Sequence, residues 1–473
     1  MATVSNAKKL KEKLFKKPEN LGKTMSETEI KKADKFCEDY KSFLDLSKTE
    51  RASVTTAVEL CKKMGFSEFS ENVKYRSGDR VFQVNRGKSV IFAIIGESSI
   101  ANGVSIIAAH IDSPRIDLKQ NPLYEDGELA FFKTHYYGGI KKYQWTTIPL
   151  SLQGVIIKND GSAVNIKIGE DKDDPVFVIT DLLPHLSALQ YKRPVKDLIK
   201  GEELNLLIGS RPFKDDKESE LVKLNIMRII NEKYGIVDSD FRSAELEAVP
   251  AFKASDVGFD RSLIGAYGQD DRVCAYAALK ATLDYKGIPN KTVITVLADK
   301  EEVGSDGNTG LNSSFLKYFV DSLAESMSKE REKSISSRAI FTNSKCLSAD
   351  VGAGFDPGFP DVLDKMNAAF LNYGVAVMKY SGSGGKSGTN DASAEYIGEI
   401  RSLFEKNNIA WQTVELGKVD MGGGGTVAKY ISFLNVDTID IGVPVLSMHS
   451  PFEITAKNDI YMAYKAFSAF IGR

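Results

Sequence analysis

Apolar and polar positions near the N-terminal end of the chain follow a helical period. Ser26–Glu29 is typical of a capping box, and the apolar residues behind it recur every three or four positions. Ser47 and Glu50 repeat the same pattern, which predicts a second helix that ends near Gly65. The first part of the chain therefore predicts two consecutive helices.

Strand-like and helical patterns alternate along the outer parts of the chain. Asp270–Tyr285 is helical, with small apolar residues on one side and Gly287 just past its end. Continuous apolar runs predict buried strands at Ser89–Ile95, Val104–His110, Thr292–Ala298 and Val436–Val445. Such alternation predicts an α/β fold class, in which helices cover both faces of a sheet.

The middle of the chain has a different texture. From about Gln120 to Gly209, short strand-like runs are separated by turn-forming Asn-Asp-Gly and Asp-Lys-Asp-Asp sequences, and a helical pattern follows at Ser219–Tyr234. The pattern predicts a β-rich domain, residues 119–254, inserted into an α/β domain made of residues 1–118 and 255–473.

Composition and charge exclude several classes of protein. With 62 basic and 64 acidic residues the formal net charge is −2, whereas nucleic-acid and acidic-membrane binders usually carry a basic surplus. The lysine-rich run Lys8–Lys17 is best explained as a solvated helix face. No apolar run approaches the roughly 20 residues that span a bilayer, and the N-terminal segment has no apolar signal core. We expect no nucleic-acid or membrane partner.

The four cysteines are widely separated and contain no C-x-x-C pair. This spacing argues against a disulfide framework and against a zinc site built from thiolates. Together with the absence of a signal core, it predicts a protein of a reducing compartment, and we expect the cytoplasm.

Two of the four histidines occupy positions that suggest chemistry. His110 closes the predicted strand Val104–His110, and His449 follows the strand-like run Ile439–Leu446. Ligands of open α/β sheets collect beyond the carboxyl ends of the strands, so these imidazoles would meet there. Either histidine alone is more often a hydrogen-bonded structural residue.

Acidic residues occupy equivalent positions at strand ends and helix starts, and their presence favours a functional role for the two histidines over a structural one. They follow strands or begin helices of the same α/β unit: Asp112, Asp270, Asp271, Glu301, Glu302 and Asp350. Imidazole and carboxylate ligands together suit zinc, cobalt or manganese, and the lack of thiolates fits a catalytic site with an open position. There are enough groups for two ions, a bridging carboxylate and a general base, but spacing alone does not assign the roles.

Six segments, in this order, resemble the aspartyl aminopeptidase family of dinuclear zinc exopeptidases, in its bacterial form: AAHIDSPRID, SAELEAVPA, GQDDR, DKEEVGS, SADVGAG and MHSPFE. The match covers nearly the whole chain, and DKEEVGS with the terminal histidine motif is its most specific part. The resemblance implies a zinc-exopeptidase-like three-layer α/β/α catalytic domain, an inserted dimerisation domain, and metal-dependent release of N-terminal residues from peptides.

The resemblance also implies a role for each site residue. Two divalent ions, most naturally zinc, would share Asp270 as the bridging ligand. His110 and Asp350 would complete one metal site, and Glu302 and His449 the other. Glu301 would be the general base, and Asp112 would orient His110. The resemblance, rather than the spacing, chooses Asp270 over Asp271 and Glu301 over Glu302.

Specificity and assembly are implied in the same way. The family's name implies a preference for N-terminal Asp or Glu, and Lys386 is the candidate for recognising the acidic side chain, although its Gly/Ser-rich surroundings differ from better-known members. The resemblance also implies a homo-oligomer built from dimers, and larger assembly such as a dodecamer. His185, ahead of His135, is the candidate that would reach a neighbouring subunit's site.

Three alternatives compete with an aminopeptidase acting on peptides with a free N-terminus. One is a metallo-amidase or carboxypeptidase on the same scaffold. Another is a catalytically silent relative that serves as a scaffold, which predicts a missing ligand or base, whereas every expected position is filled. A phosphate-binding loop is suggested by Gly385-Lys386-Ser387, but Tyr380 stands where that motif requires glycine.

Overall fold

The computed structural model describes residues 5–15, 18–215, 217–327 and 335–473. Lys16 and Lys17 of the lysine-rich run lie outside the described residues, and the rest of that run lies on an exposed helix. The first elements in chain order are α1 (Asn6–Leu14), α2 (Leu21–Thr24), α3 (Glu27–Leu46), α4 (Glu50–Lys63), β1 (Ser67–Glu68), β2 (Arg80–Asn85), β3 (Ser89–Ile94) and β4 (Ser105–His110).

The two predicted helices exist, but one predicted cap is wrong. Ser26 caps α3 as expected, because its hydroxyl oxygen accepts the backbone N–H of Glu29 at 3.3 Å. Ser47 instead ends α3, and Thr49 caps α4 by accepting the Ala52 N–H at 3.2 Å. Glu50 is buried beside Arg115, so its side chain serves an ion pair rather than a reciprocal cap.

The middle of the chain forms an antiparallel sheet. Its elements are β5 (Arg115–Asp126), β6 (Leu129–Tyr137), β7 (Leu150–Ile157), β8 (Ala163–Ile168), β9 (Val178–Ile179), β10 (Leu206–Gly209), α5 (Leu221–Tyr234) and β11 (Ala244–Pro250). The seven strands pair in the order β8-β7-β11-β5-β6-β10-β9. This sheet has its own apolar core, centred on residues such as Trp145, Phe132 and Leu246.

The remaining elements return to an alternation of strands and helices. They are β12 (Ser255–Val257), β13 (Leu263–Ala266), α6 (Gln269–Asp284), β14 (Val293–Ala298), α7 (Phe315–Met327), α8 (Ser337–Thr342), β15 (Lys345–Ser348), β16 (Gly352–Ala353), β17 (Val375–Met378), α9 (Ala394–Lys406), β18 (Trp411–Val414), α10 (Val427–Ser432), β19 (Asp437–Gly442), β20 (Pro444–Leu446), β21 (Glu453–Ala456) and α11 (Lys457–Ile471).

Nine strands from both outer parts of the chain form the central sheet, in the order β1-β2-β3-β14-β4-β15-β19-β17-β18. Strands β14, β4, β15 and β19 are parallel neighbours. Because β3, β4 and β14 are buried at every position, both faces of the sheet must be covered. A smaller sheet pairs β12, β13, β21, β20 and β16.

Side chains of β4 show how the layers form. Ile107 and Ala109 pack into a core shared with α3, α6 and α11, whereas Ile106 and Ala108 pack into a second core shared with α7 and α8. Helices therefore lie on both faces, and the predicted three-layer α/β/α architecture is confirmed. All four cysteines are buried free thiols. No helix in the described ranges is long and apolar enough to cross a membrane.

Candidate metal centre

The carboxyl ends of three neighbouring parallel strands carry most of the predicted site residues. His110 is the last residue of β4, Glu301 and Glu302 follow β14 in a short 3-10 turn, and Asp350 follows β15. Since β4 lies between β14 and β15 in the sheet, their ends meet at one edge. This is the place where the sequence predicted them to meet.

Asp270 reaches this edge from the start of α6. The chain turns at Gly268, where φ is +71° and an added Cβ would lie 1.8 Å from Nη1 of Arg272, so only glycine fits. The hydroxyl of Ser113 donates to the Asp270 carbonyl oxygen at 2.7 Å, which ties the turn to the segment after β4. The buried Arg272 guanidinium donates to the carbonyl oxygens of Ile111 and Lys48.

The two oxygens of the Asp270 carboxylate face different histidines. Asp270 Oδ1 lies 3.2 Å from His110 Nε2, and Oδ2 lies 3.1 Å from His449 Nε2. His449 Nε2 is also 3.5 Å from Oε2 of Glu302. The carboxylate of Asp270 is therefore the centre of a cluster that joins both histidines.

Donor atoms of this cluster fit a divalent metal ion. In two sets, His110 with Asp270 and Glu302, and His110 with Asp271 and Asp350, one possible ligand atom from each residue lies within 4.8 Å of the others. Glu302 Oε1 and Asp271 Oδ1 are buried and accept no hydrogen bond. Buried carboxylate oxygens without a partner are costly, and a cation would satisfy them. Mixed imidazole and carboxylate donors suit zinc.

Asp112 contacts both His110 and the segment that contains Glu301 and Glu302. Its Oδ1 oxygen accepts the Glu301 N–H at 3.1 Å, and its Oδ2 oxygen accepts the Glu302 N–H at 3.2 Å. Nδ1 of His110 lies 3.0 Å from the Asp112 backbone oxygen and 3.3 Å from its Oδ1. One carboxylate thus contacts the last residue of β4 and the segment that follows β14.

Sequence reasoning missed three groups that fix the cluster. The Glu453 carboxylate accepts the backbone N–H of His449 at 2.7 Å and that of Asp270 at 3.0 Å. The Gly139 carbonyl oxygen lies 2.8 Å from Nδ1 of His449, and the Tyr137 hydroxyl donates to Oδ2 of Asp112 at 2.7 Å. Glu453 had a sequence signal, because it follows His449 within the MHSPFE motif. Tyr137 and Gly139 had none.

Burial and neighbouring charges shift the pKa values of the cluster. Burial, reinforced by the charges of Asp350 and Asp112 against that of His110, raises the pKa of Glu301 to about 8. Burial also raises the pKa of Asp350 to about 6. Although burial alone would lower it, the hydrogen bond to Asp270 and the charge of Glu302 raise the pKa of His449 to about 10. Metal-free, the cluster therefore holds protons near neutral pH.

Lys386, His185 and His135 have surroundings of their own, separate from the hydrogen bonds and ion pairs of the cluster. Lys386 is half-exposed, pairs with Asp391 at 3.2 Å, and lies 3.7 Å from the ring centroid of Tyr380. His185 is exposed in a short 3-10 turn, and His135 is exposed on β6. Among the described residues, no hydrogen bond or ion pair links Lys386 or His185 to the cluster residues of the same chain.

A glycine-rich loop connects the lysine segment with the cluster. The Gly424 N–H donates to the Ser381 carbonyl oxygen at 2.8 Å. Further along, Val427, the first residue of α10, donates its N–H to Oδ2 of Asp350 at 3.3 Å. The loop therefore lies against both the Lys386 segment and a carboxylate of the cluster.

The chain is similar to known proteins in sequence and in fold. Residues 43–471 match the family model of aminopeptidase I zinc metalloproteases (M18). An M18 family aminopeptidase 1 of Clostridium acetobutylicum is 48% identical over 463 residues, covering 97% of this chain and 99% of the relative.

Solved structures agree as well. The crystal structure of an M18 family aminopeptidase from Thermotoga maritima superposes with a TM-score of 0.91 at 42% identity, covering 96% of this chain and 99% of that one. A yeast protein, mApe1, described as a dodecamer, shares the fold with a TM-score of 0.74 at 21% identity, covering 94% and 97% of the two chains. The fold, the metal-ligand chemistry of the cluster and these matches show that the chain is an aminopeptidase of the M18 family of zinc metalloproteases.

Proposed function

We propose that the chain releases N-terminal residues from peptides with a pair of divalent metal ions bridged by Asp270. The observation that carries the proposal is the division of the Asp270 carboxylate, whose two oxygens lie 3.2 Å from His110 and 3.1 Å from His449. A carboxylate that is shared in this way has the disposition of a bridging ligand. Zinc is the first candidate for both ions, with cobalt and manganese as alternatives.

The remaining ligands divide into two sets around that carboxylate. His110 and Asp350 would complete the first site, and Glu302 and His449 the second. Asp271 competes for the bridging role, because it also lies near His110 and Asp350. However, Oδ2 of Asp271 already accepts the backbone N–H of His110 at 3.3 Å, and Asp271 makes no ion pair with His449. This contact favours Asp270 as the bridge and leaves Asp271 as a buried neighbour.

Glu301 is the proposed general base. When bound, the two ions polarise the scissile carbonyl and make water more acidic. The Glu301 carboxylate removes a proton from the attacking water and then delivers that proton to the leaving amine. Its raised pKa, about 8, marks a site in which burial disfavours the charged form, and the bound cations would bring that value down. Asp112 would hold the Glu301 backbone and orient His110.

A pair of amide variants tests these roles. Glu301→Gln keeps the shape of the side chain but cannot take a proton, so it should retain both ions and lose about 10²- to 10⁴-fold in kcat. Glu302→Gln should instead lose metal, because it removes a ligand rather than the base. Metal content by atomic emission and hydrolysis of aminoacyl-anilides would be measured for both. Near-normal turnover by Glu301→Gln would disprove its role as the base.

The same assay separates an aminopeptidase acting on free N-termini from a metallo-amidase. Metal-free protein refilled with zinc, cobalt or manganese would be offered matched substrates with a free or a blocked amino group. An aminopeptidase should cleave only the free-amine series, with activity that returns on metal addition. Equal cleavage of blocked substrates would instead identify an amidase on this scaffold.

A preference for substrates with an N-terminal Asp or Glu is a separate proposal. Lys386 could pair with an N-terminal Asp or Glu side chain, because its segment contacts the glycine-rich loop that leads to Asp350. In this structure its ammonium pairs with Asp391. An acidic substrate would therefore have to replace Asp391 as the partner of Lys386.

Assembly is proposed through residues 119–254, the inserted β-rich domain. Around His185 this domain exposes a group of large apolar side chains, each at least half accessible: Leu182, Leu183, Leu186, Leu189, Tyr191 and Val195. An exposed patch of this kind is typical of an interaction site. We propose that it joins two copies of the chain, that His185 enters the neighbouring site, and that dimers build a larger oligomer such as the dodecamer described for mApe1. The cytoplasm remains the proposed location.

A further inference from the structure

We propose that the segment Tyr137–Gly139, at the end of β6, is a positioning element that the inserted sheet contributes to the metal centre. The inference rests on the proposed two-metal site and adds three residues to it. Tyr137 and Gly139 each contact a different part of the cluster, and Gly138 lies between them beside Glu302. The inserted sheet would then serve catalysis within its own subunit, in addition to any role in assembly.

Tyr137 acts on His110 through Asp112. Its hydroxyl donates to Oδ2 of Asp112 at 2.7 Å, while Asp112 faces Nδ1 of His110. The Tyr137 ring is held in place by the guanidinium of Arg115, 3.9 Å from its centroid, on the paired strand β5. Arg115 is itself buried between Glu247 and Glu50. A ring fixed in this way can hold a hydroxyl at one position, and hence fix the Asp112 carboxylate.

Gly139 acts on His449 directly. Its carbonyl oxygen, 2.8 Å from Nδ1 of His449, can only accept a hydrogen bond, so Nδ1 must carry the proton. When a metal ion displaces the proton on Nε2, that nitrogen is left as the electron-pair donor, and it faces Asp270 and Glu302. Selection of the tautomer by a carbonyl is a common way to prepare a metal-binding histidine.

Gly138 lies between these two contacts and sets their spacing. Its φ is +73°, and an added Cβ would lie 3.3 Å from Cβ of Glu302. A side chain at position 138 would therefore press on Glu302 and also on Pro114, whose Cα and Cβ would each lie 3.4 Å from the added Cβ. Hydrogen bonds to Asp112 and His449 thus come from the first and third of three consecutive residues, and the glycine between them leaves the space beside Glu302 free of a side chain.

Tyr137→Phe tests the tyrosine, with Tyr136→Phe as the matched control. The first variant removes the hydroxyl but keeps the ring that Arg115 contacts, whereas Tyr136 is exposed on the opposite face of the same strand. We expect Tyr137→Phe to weaken zinc affinity, measured by competition with a chromophoric chelator, about 10- to 100-fold. At saturating zinc, kcat should fall while KM stays unchanged. Tyr136→Phe should match the wild type in all three quantities.

Thermal unfolding of the metal-free variants and zinc affinity together separate positioning from folding. Loss of a hydrogen bond to a buried carboxylate lowers the melting temperature of metal-free Tyr137→Phe relative to Tyr136→Phe under either role, so the deciding quantity is zinc affinity, which only a positioning role predicts to fall. If Tyr137→Phe lowered only the melting temperature and left zinc affinity unchanged, the hydroxyl would be structural and the inference would be wrong. If the wild type bound fewer than two ions, the proposed two-metal site would also be wrong.

Two glycine variants test the segment without relying on Tyr137. Gly138→Ala and Gly127→Ala both place a side chain at positive φ, but the Cβ at position 127 meets open space. Backbone strain is therefore similar, and only Gly138→Ala presses on Glu302. We expect Gly138→Ala alone to lose zinc affinity. Equal zinc affinities for the two variants would overturn the inference.

Discussion

The Oδ1 oxygen of Asp112 accepts the backbone N–H of Glu301 at 3.1 Å, so the proposed general base is held at its main chain by a residue of the loop that follows β4. Oδ2 of the same carboxylate accepts the Glu302 N–H at 3.2 Å. Asp112 is fully buried, and although burial opposes the shift, its contacts with His110 hold its pKa below the usual range. It therefore accepts both N–H groups as a charged carboxylate near neutral pH.

Replacing Asp112 by Asn should disturb both glutamates and His110. The amide can offer one oxygen but must point its NH₂ group at a donor, which leaves a buried donor without an acceptor. We expect about a 10- to 100-fold loss in kcat and in zinc affinity. Asp126→Asn, at the exposed end of β5, is the matched control and should behave as the wild type. Steady-state kinetics and chelator competition measure the two effects, and unchanged zinc affinity in Asp112→Asn would contradict the assignment.

The part of the site that was predictable lies close to strand ends. Continuous apolar runs located β4 and β14, and the residues that follow them had to meet at one edge of the sheet because the strands are parallel. His110, Glu301 and Glu302 were found in this way. The choice of Asp270 over Asp271 came from family resemblance. Both residues stand at the start of the predicted helix, and the sequence pattern does not reveal which of the two side chains the backbone directs toward the histidines.

The contribution of the inserted sheet was not predictable from the sequence. Tyr137 is one of many aromatic residues in a strand-like pattern, and only the pairing of Arg115 with Tyr137 brings it to Asp112. A shift of one residue in that register would place the exposed Tyr136 there instead. Pairing register depends on the turn and on both strands, so a local pattern does not reveal it. The wrong cap at Ser47 has a similar cause, since burial of Glu50 beside Arg115 outweighed the local capping pattern.

Removing the metal should make stability depend on pH. Folded pKa values of about 6 for Asp350, 8 for Glu301 and 10 for His449 all exceed the ordinary values of 3.8, 4.5 and 6.5. The folded metal-free chain therefore binds more protons than the unfolded chain, and stability falls as pH rises through these values. The lowered pKa of Asp270 acts oppositely, but its contribution is already complete above about pH 4.

We therefore expect the melting temperature of the metal-free protein to fall between about pH 6 and pH 9, as its carboxylates lose protons. The zinc-loaded protein should fall less, because the cations replace those protons and zinc binds more tightly as its ligands deprotonate. Scanning calorimetry of both forms across this range measures the difference. Parallel curves for the two forms would show that the cluster does not bind the ions that stabilise the fold.

Lys386 should affect specificity without affecting chemistry. If its ammonium pairs with an acidic N-terminal side chain, Lys386→Ala should lower kcat/KM for Asp and Glu substrates about tenfold or more, the value of a charged hydrogen bond. Substrates with N-terminal Ala or Leu should be unaffected. Lys379→Ala is the matched control, because Lys379 pairs with the same Asp391. Equal losses on all substrates, or in both variants, would exclude a recognition role for Lys386.

His185 gives the sharpest test of assembly, because two inactive variants should restore each other. His185→Ala lacks the group proposed to enter the neighbouring site, and Glu301→Gln lacks the base in its own site. In a mixed pair, the His185→Ala chain still has Glu301 in its own site, and the Glu301→Gln chain supplies the His185 that enters it, so this site is complete. The other site of the pair lacks both groups and stays inactive. Random pairing of equal amounts should recover about one quarter of wild-type activity, because half of the pairs are mixed and each has one complete site.

The mixture should be prepared by co-expression and checked by light scattering, so that loss of assembly is not mistaken for loss of a catalytic group. The matched control replaces His135, the other exposed histidine of the inserted sheet, by Ala; this variant should be active alone. Leu189→Glu, in the exposed apolar group around His185, should instead lower the oligomer mass, because it places a charge in the proposed interface. If the mixture stayed as inactive as its parents while the oligomer mass was normal, His185 would not act across subunits, since mixed pairs would then be present without a working site.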